Sequence, residues 1–155
     1  MKNSNKYVKQ YFKAQVLPVL SPQIVDANHP FPHLLSNELY VIANLTANDK
    51  TMMGIVPVPK FISDIIYLPG DDIRYIRMEK VIMEYLSIIF EQYEVTEENY
   101  LCVTRNADIA PDDDAFDVNE DFRERMQELL HKRRRLAAVR LEVAYAMSKE
   151  MEQLL

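Results

Sequence analysis

Three histidines, one cysteine and a scatter of arginines are the residues of this chain with the means to do chemistry. His29 and His33 flank a Pro-Phe-Pro run, and His131 opens a basic stretch. As nucleophiles or metal ligands they lack company. His29 and His33 stand four apart but on a proline-rich run and not on a helix, and no second cysteine could complete a tetrahedral site. That lack of partners favours a packing role for His29 and His33. Cys102 sits in the strand-like run YLCVT, which points to a buried, inert thiol. The arginines offer more. Arg105 and Arg140 lie on or beside strand-like segments, and Lys132, Arg133, Arg134 and Arg135 form a continuous run. A guanidinium fork binds phosphate oxygens in pairs. Arg105, Arg133, Arg134, Arg135 and Arg140 are therefore the candidates for contact with a phosphate or polyanion. Plainer roles stand beside this one. Arg140 can pair with Glu142 or with an acid of a neighbouring strand, and the Lys132–Arg135 run suits the negative end of a helix. No residue is assigned a catalytic role, and none a metal.

The charge is unevenly spread. The chain carries −6 in total, yet Asp108 to Glu128 holds nine acids against two arginines, leaving the remainder near neutral. Such a balance does not imply nucleic-acid binding. The acidic stretch lacks the glycine and final glutamate of a calcium loop, so it reads as a solvated loop and helix start. It would repel a polyanion and should lie away from one. Two glycines in 155 residues leave no glycine-rich phosphate cradle. The single cysteine excludes an internal disulfide and fits a reducing compartment. No apolar run approaches the ~18 residues that span a membrane, and the N-terminus lacks an apolar signal core.

The elements that must position these residues follow from periodicity. Residues 5–17 read as a helix, with Tyr7, Val8, Tyr11, Phe12 and Val16 near helical spacing. The stretch Pro18–Pro32 holds four of the eight prolines and predicts a rigid, extended, covered crossing. Glu38–Thr46 and Thr51–Val56 predict a hairpin around Ala47–Lys50, its first strand apolar on both faces and therefore interior. Phe61–Leu68 and Ile73–Met78 read as short strands, residues 79–93 as an amphipathic helix and Tyr100–Thr104 as another strand. A helix is expected over 118–134. In Leu136–Tyr145, Ala137, Val139, Leu141 and Val143 are expected to face inward, with Arg140 and Glu142 opposite. Ser148 can cap a last helix. The order predicts an α+β fold: a mixed four- to five-stranded sheet with two main helices packed on it, plus an N-terminal helix.

Three separated motifs carry a resemblance. Tyr11-Phe12 leads into PVLSPQIVDANHPFPHLLSN, VTRNAD follows at Val103–Asp108, and HKRRRLAAVRLEV spans His131–Val143. Together, in this order, they resemble the middle, or head, domain of bacterial polyphosphate kinase; Ser21 stands where threonine is common in the family. The resemblance implies a piece of a longer enzyme. Residues 1–36 would be the N-terminal helix and crossing from a preceding domain, 37–145 the head, and 146–155 the start of the following C-terminal domain. The full enzyme would reversibly transfer the terminal phosphoryl group of ATP to inorganic polyphosphate through a phosphohistidine, with Mg²⁺. Its catalytic histidines belong to the C-terminal domains, and His29, His33 and His131 match none of them. The implied role of this stretch is dimerisation and the walls of an active-site tunnel. The stretch alone would be inactive and bind no cofactor, and its partners would be the other domains, a second copy and polyphosphate. The implied location is the cytoplasm, or the membrane surface for the full enzyme. The competing reading is a stand-alone dimerisation module using exposed apolar surface around Tyr7, Tyr11 and Phe12.

Overall fold

A computed structural model describes residues 2–70, 72–105 and 138–155. Helix α1 spans Lys2–Tyr11 and runs on through a wider turn at Phe12–Val16, where the amide of Leu17 bonds back five residues to the Phe12 carbonyl. Pro18 follows inside a tight turn, Leu17–Val19, and ends the helix. Val8, Phe12 and Val16 are buried, and the Phe12 ring stacks on Tyr85 with centroids 4.6 Å apart. Phe12 is thus core, not the exposed surface expected of it.

The crossing also differs from expectation. It begins in that helical turn, and Gln23–Val25 then forms a strand, β1. Most of its remaining residues are exposed, so it is a surface strap and not a covered connector.

Strands β2 (Leu39–Ala47) and β3 (Lys50–Pro57) form the predicted hairpin. Ala47 pairs with Lys50, and Asn48 and Asp49 both take positive φ, at 50° and 60°. A two-residue loop of this hand matches the twist of its strands, and Asn and Asp tolerate it best after glycine. After β3 come β4 (Ile65–Tyr67) and β5 (Tyr75–Arg77), which pair only with each other as a separate two-stranded sheet. The helix expected over 79–93 is broken. It forms α2 (Met78–Glu84) and α3 (Leu86–Ile89), divided at Tyr85. Strand β6 (Glu94–Arg105) is far longer than its apolar core suggested, and β7 is Ala138–Val143. Helix α4 (Lys149–Leu154) is capped as predicted, Ser148 Oγ accepting from the Met151 amide at 3.1 Å. The expected helix over 118–134, with Arg133, Arg134 and Arg135, lies outside the described residues.

Among the described residues the main sheet has five strands in the order β1-β3-β2-β6-β7, every ladder antiparallel. Among the described residues parallel pairing is confined to one bridge, Ser36 to Val103. With β2 at the centre, both faces are covered. Val41, Ala43, Leu45 and Val56 meet Val81, Ile82, Leu86 and Phe90 on one face. Tyr40, Ile42, Met53, Ile55, Leu101 and Val103 meet Leu34 and Met151 on the other. Gly54 makes the first contact close: a Cβ there would stand 2.6 Å from Phe90 Cζ and 2.9 Å from Leu45 Cδ1.

Strand β7 departs from the inward-facing pattern expected of it. Val139, Leu141 and Val143 are 63%, 47% and 39% exposed. The reason is position. β7 is the last strand of the sheet, and the described residues beside it leave an open cleft.

Candidate functional site

That cleft, about 510 Å³, is where the three sequence motifs converge. The end of the crossing supplies Phe31, Pro32, His33 and Leu34, β6 supplies Val103 and Arg105, and β7 supplies Ala138–Leu141. Backbone pairing makes the convergence possible. The amide of Asn37 donates to Val103 O at 2.8 Å, and β7 lies against β6 with Leu141 opposite Val103 and Arg140 opposite Thr104. A register irregularity between Thr104 and Arg105 then shifts the end of β6. Asn37, at φ 58°, turns the chain from the crossing toward β2.

Arg105 fastens the crossing to the sheet. Its Nε donates to Leu34 O at 2.7 Å, and its backbone amide donates to Ser36 Oγ at 3.0 Å. Arg140 is the more open arginine, its side chain 67% exposed, and its Nη2 bonds Glu142 Oε1 at 2.8 Å. Both predicted arginines therefore line one cleft. Arg105 holds its architecture, and Arg140 makes the strand-local ion pair that was one of its two expected roles.

The histidines divide. His33 lines the cleft. His29 does not pack as expected: its side chain is 71% exposed, with Nδ1 2.8 Å from Asp26 Oδ1. The same carboxylate oxygen accepts from the amides of Asn28 and His29, both at 2.8 Å. These bonds, led by the Asn28 amide, hold the Asp26 carboxyl below its usual pKa. Asp26 and His29 thus tie the turn that follows β1. Cys102 is half-buried opposite Glu142; burial first, then that carboxylate, pushes its thiol pKa up. A thiol so placed is a poor nucleophile at neutral pH.

Sequence reasoning missed a polar lock just past the end of β7. Asn99, 1% exposed, donates through Nδ2 to Tyr145 O at 2.9 Å, and its Oδ1 accepts from the Tyr145 and Tyr100 amides at 3.2 and 2.9 Å. Glu97 accepts from Asn44 Nδ2 at 3.3 Å, from the Ser148 amide at 2.9 Å and from the Ser148 hydroxyl. These bonds anchor the chain after β7 and the start of α4. Lys80 Nζ adds a contact to the Tyr145 hydroxyl and lies 4.9 and 4.6 Å from the Tyr100 and Tyr145 ring centres. The Tyr145 hydroxyl is the main cause that raises the Lys80 pKa. The one available signal was a lone Asn inside an otherwise exposed polar run. Among the described residues no group of three or more His, Cys, Asp or Glu could hold a metal ion.

Comparison with known proteins gives this geometry its context. The family model describing the polyphosphate kinase middle domain matches residues 3–155. A polyphosphate kinase of Bacillus anthracis is 33% identical over 150 residues, which cover 92% of this chain and 21% of that protein. One from Mycolicibacterium gilvum is 34% identical over 152 residues, covering 94% and 20%. The chain thus spans about one fifth of the length of these relatives. In fold it is similar to the crystal structure of polyphosphate kinase from Porphyromonas gingivalis, with a TM-score of 0.63 and 22% identity over 72% of this chain and 18% of that one. The match of nearly every residue to one family model shows that the chain belongs to the polyphosphate kinase middle-domain family.

Proposed function

We propose that this chain is the non-catalytic middle domain of a polyphosphate kinase whose full protein moves the terminal phosphoryl group of ATP reversibly onto inorganic polyphosphate through a phosphohistidine. The observation that carries the reading is the cleft itself. Three motifs far apart in the sequence are folded onto one another there, yet Arg105 is engaged in holding the crossing and the Cys102 thiol is suppressed. Phosphoryl transfer needs a nucleophile, a metal and a phosphate cradle together. The described residues supply the wall of such a site and not its centre. Mg²⁺, ATP and the reacting histidine belong to other domains of the same cytoplasmic protein. This domain shapes the active-site tunnel and contributes to a dimer.

Arg133, Arg134 and Arg135 are the proposed approach for the polyphosphate chain, and Arg105 and Arg140 line the cleft. Neutralising the three consecutive arginines in the full enzyme is expected to raise the apparent KM for long-chain polyphosphate with little change in the KM for ATP. An unchanged polyphosphate KM removes them from the path. For the role of the domain, transfer of the γ-phosphate of ATP to polyphosphate is expected from the full protein and absent from the folded 155-residue chain; turnover by the chain alone overturns it.

A second reading, a self-associating interaction module, is favoured by one observation. Large exposed apolar side chains concentrate on the β4–β5 hairpin. Of the surface first expected for it, around Tyr7, Tyr11 and Phe12, Phe12 is buried while Tyr7 is exposed.

A further inference from the structure

The segment that leaves β7 ties the two layers of the fold together. Just past the strand, the ring of Tyr145 meets Tyr100 edge-on, with centroids 6.1 Å apart and an interplanar angle of 80°. Tyr100 packs against the core that α2 covers, whereas Met147 and Met151 pack in the core that α4 covers. The backbone bonds of this passage come from β6: Asn99 holds the amide and carbonyl of Tyr145, and Glu97 holds Ser148 at the cap of α4. Lys80 is the contact that comes from α2 instead. Its Nζ donates to the Tyr145 hydroxyl and lies 4.9 Å from the Tyr100 ring centre and 4.6 Å from that of Tyr145. A cation facing two rings is attracted by both, and more strongly where water is partly excluded. Lys80 is half-buried.

Helix α2 is tied at its other end as well. Tyr85, which closes it, stacks on Phe12 of the first helical run at 4.6 Å between centroids. One short helix therefore touches both the start of the chain and the segment after β7.

We infer that Lys80 is a positioning residue for phosphoryl transfer in the full enzyme. Through Tyr145 it fixes the angle at which the chain leaves β7 toward the reacting domains. This role rests on the reading that the reacting histidine belongs to other domains of the same polypeptide. Orientation is worth having there, because a misplacement of ~1 Å between reacting groups can slow a reaction by about 10²-fold. Lys80 touches no reacting group. Its effect reaches the chemistry only through the Tyr145–Ser148 backbone.

The test uses the full-length protein with Lys80→Gln, Lys80→Arg and Tyr145→Leu. Gln removes the charge, and Arg keeps a cation over the rings. A cation–π pair at a partly exposed site shifts an equilibrium by about two- to fivefold. Lys80→Gln is expected to quicken amide exchange at Tyr145 and Ser148 by about that factor. It is also expected to lower kcat for transfer from ATP to polyphosphate by about fivefold, with both KM values and the circular dichroism unchanged. Lys80→Arg is expected to restore most of kcat. In the Tyr145→Leu background, Lys80→Gln is expected to add nothing further. Wild-type kcat in Lys80→Gln overturns the positioning role, whether or not exchange quickens. A fall in kcat that Lys80→Arg does not rescue, or that adds in full to that of Tyr145→Leu, overturns it too. Absence of transfer by the wild-type full-length protein overturns the underlying reading of function, and this role with it.

Discussion

Arg105 donates from Nε to the carbonyl of Leu34 at 2.7 Å, and this bond ties the proline-rich crossing to the end of β6 across 71 residues of sequence. Leu34 itself is 4% exposed, so its carbonyl has little water to fall back on. A hydrogen bond from a charged donor to such a group contributes about 1.5–3 kcal/mol. Arg105→Ala should lower unfolding stability by about 2 kcal/mol. Arg105→Lys should recover little of it, because a single ammonium does not reproduce the guanidinium fork. Denaturant melts of the two variants check this; equal stability to wild type would show that the bond is idle.

Gly54 holds open the contact between the sheet and Phe90. Gly54→Ala should cost about 1–3 kcal/mol, since its Cβ would overlap a ring packed among other buried side chains. Phe90→Leu made alone leaves a gap, but in the double variant the smaller side chain should relieve the clash. Non-additive stabilities in this cycle are the expected result; strict additivity would mean that the two residues do not press on each other.

Asn99→Ala removes three bonds at once and takes the side-chain partner from the Tyr145 amide and carbonyl. A loss of about 2 kcal/mol is expected, together with faster amide exchange at Tyr145 and Ser148. Exchange that quickens only at Tyr100 would mean that the segment after β7 is held by Glu97 and Lys80 instead.

The turn after β1 should respond to acid. The folded-state pKa of Asp26 is depressed below its ordinary value of 3.8, so the bonds to its carboxylate stabilise fully above that pH. They are lost as pH falls through the lowered value. The amide shifts of Asn28 and His29 should therefore titrate with a midpoint below 3.8, and Asp26→Asn should abolish the transition. A midpoint at or above that value would contradict the geometry.

How much of this was legible in the sequence depended on where the apolar pattern was strong. The β2–β3 hairpin could be read because Val41, Ala43 and Leu45 alternate with Tyr40, Ile42 and Asn44 around an Asn-Asp turn. The first half of β6 could not: Glu94, Glu97 and Glu98 look like a solvated loop, yet the backbone of β2 supplies them with a ladder. Phe12 and β7 erred in opposite directions for one reason. Periodicity gives the shared face of a segment, but only the neighbouring elements decide whether that face is covered. The candidate arginines could be named in advance, but the cleft could not. Leu34, Arg105 and Arg140 meet only because an antiparallel ladder and one parallel bridge bring their strands together.

The central claim is that this domain builds a phosphoryl-transfer enzyme without supplying its nucleophile. The most direct measurement is phosphoenzyme formation from γ-labelled ATP by the full-length protein in which His29, His33 and His131 are all replaced by alanine. The account predicts an acid-labile, base-stable phosphoenzyme at the wild-type level, with melting changed only slightly by the loss of the Asp26–His29 contact. Loss of the phosphoenzyme in a variant that melts like wild type would contradict it.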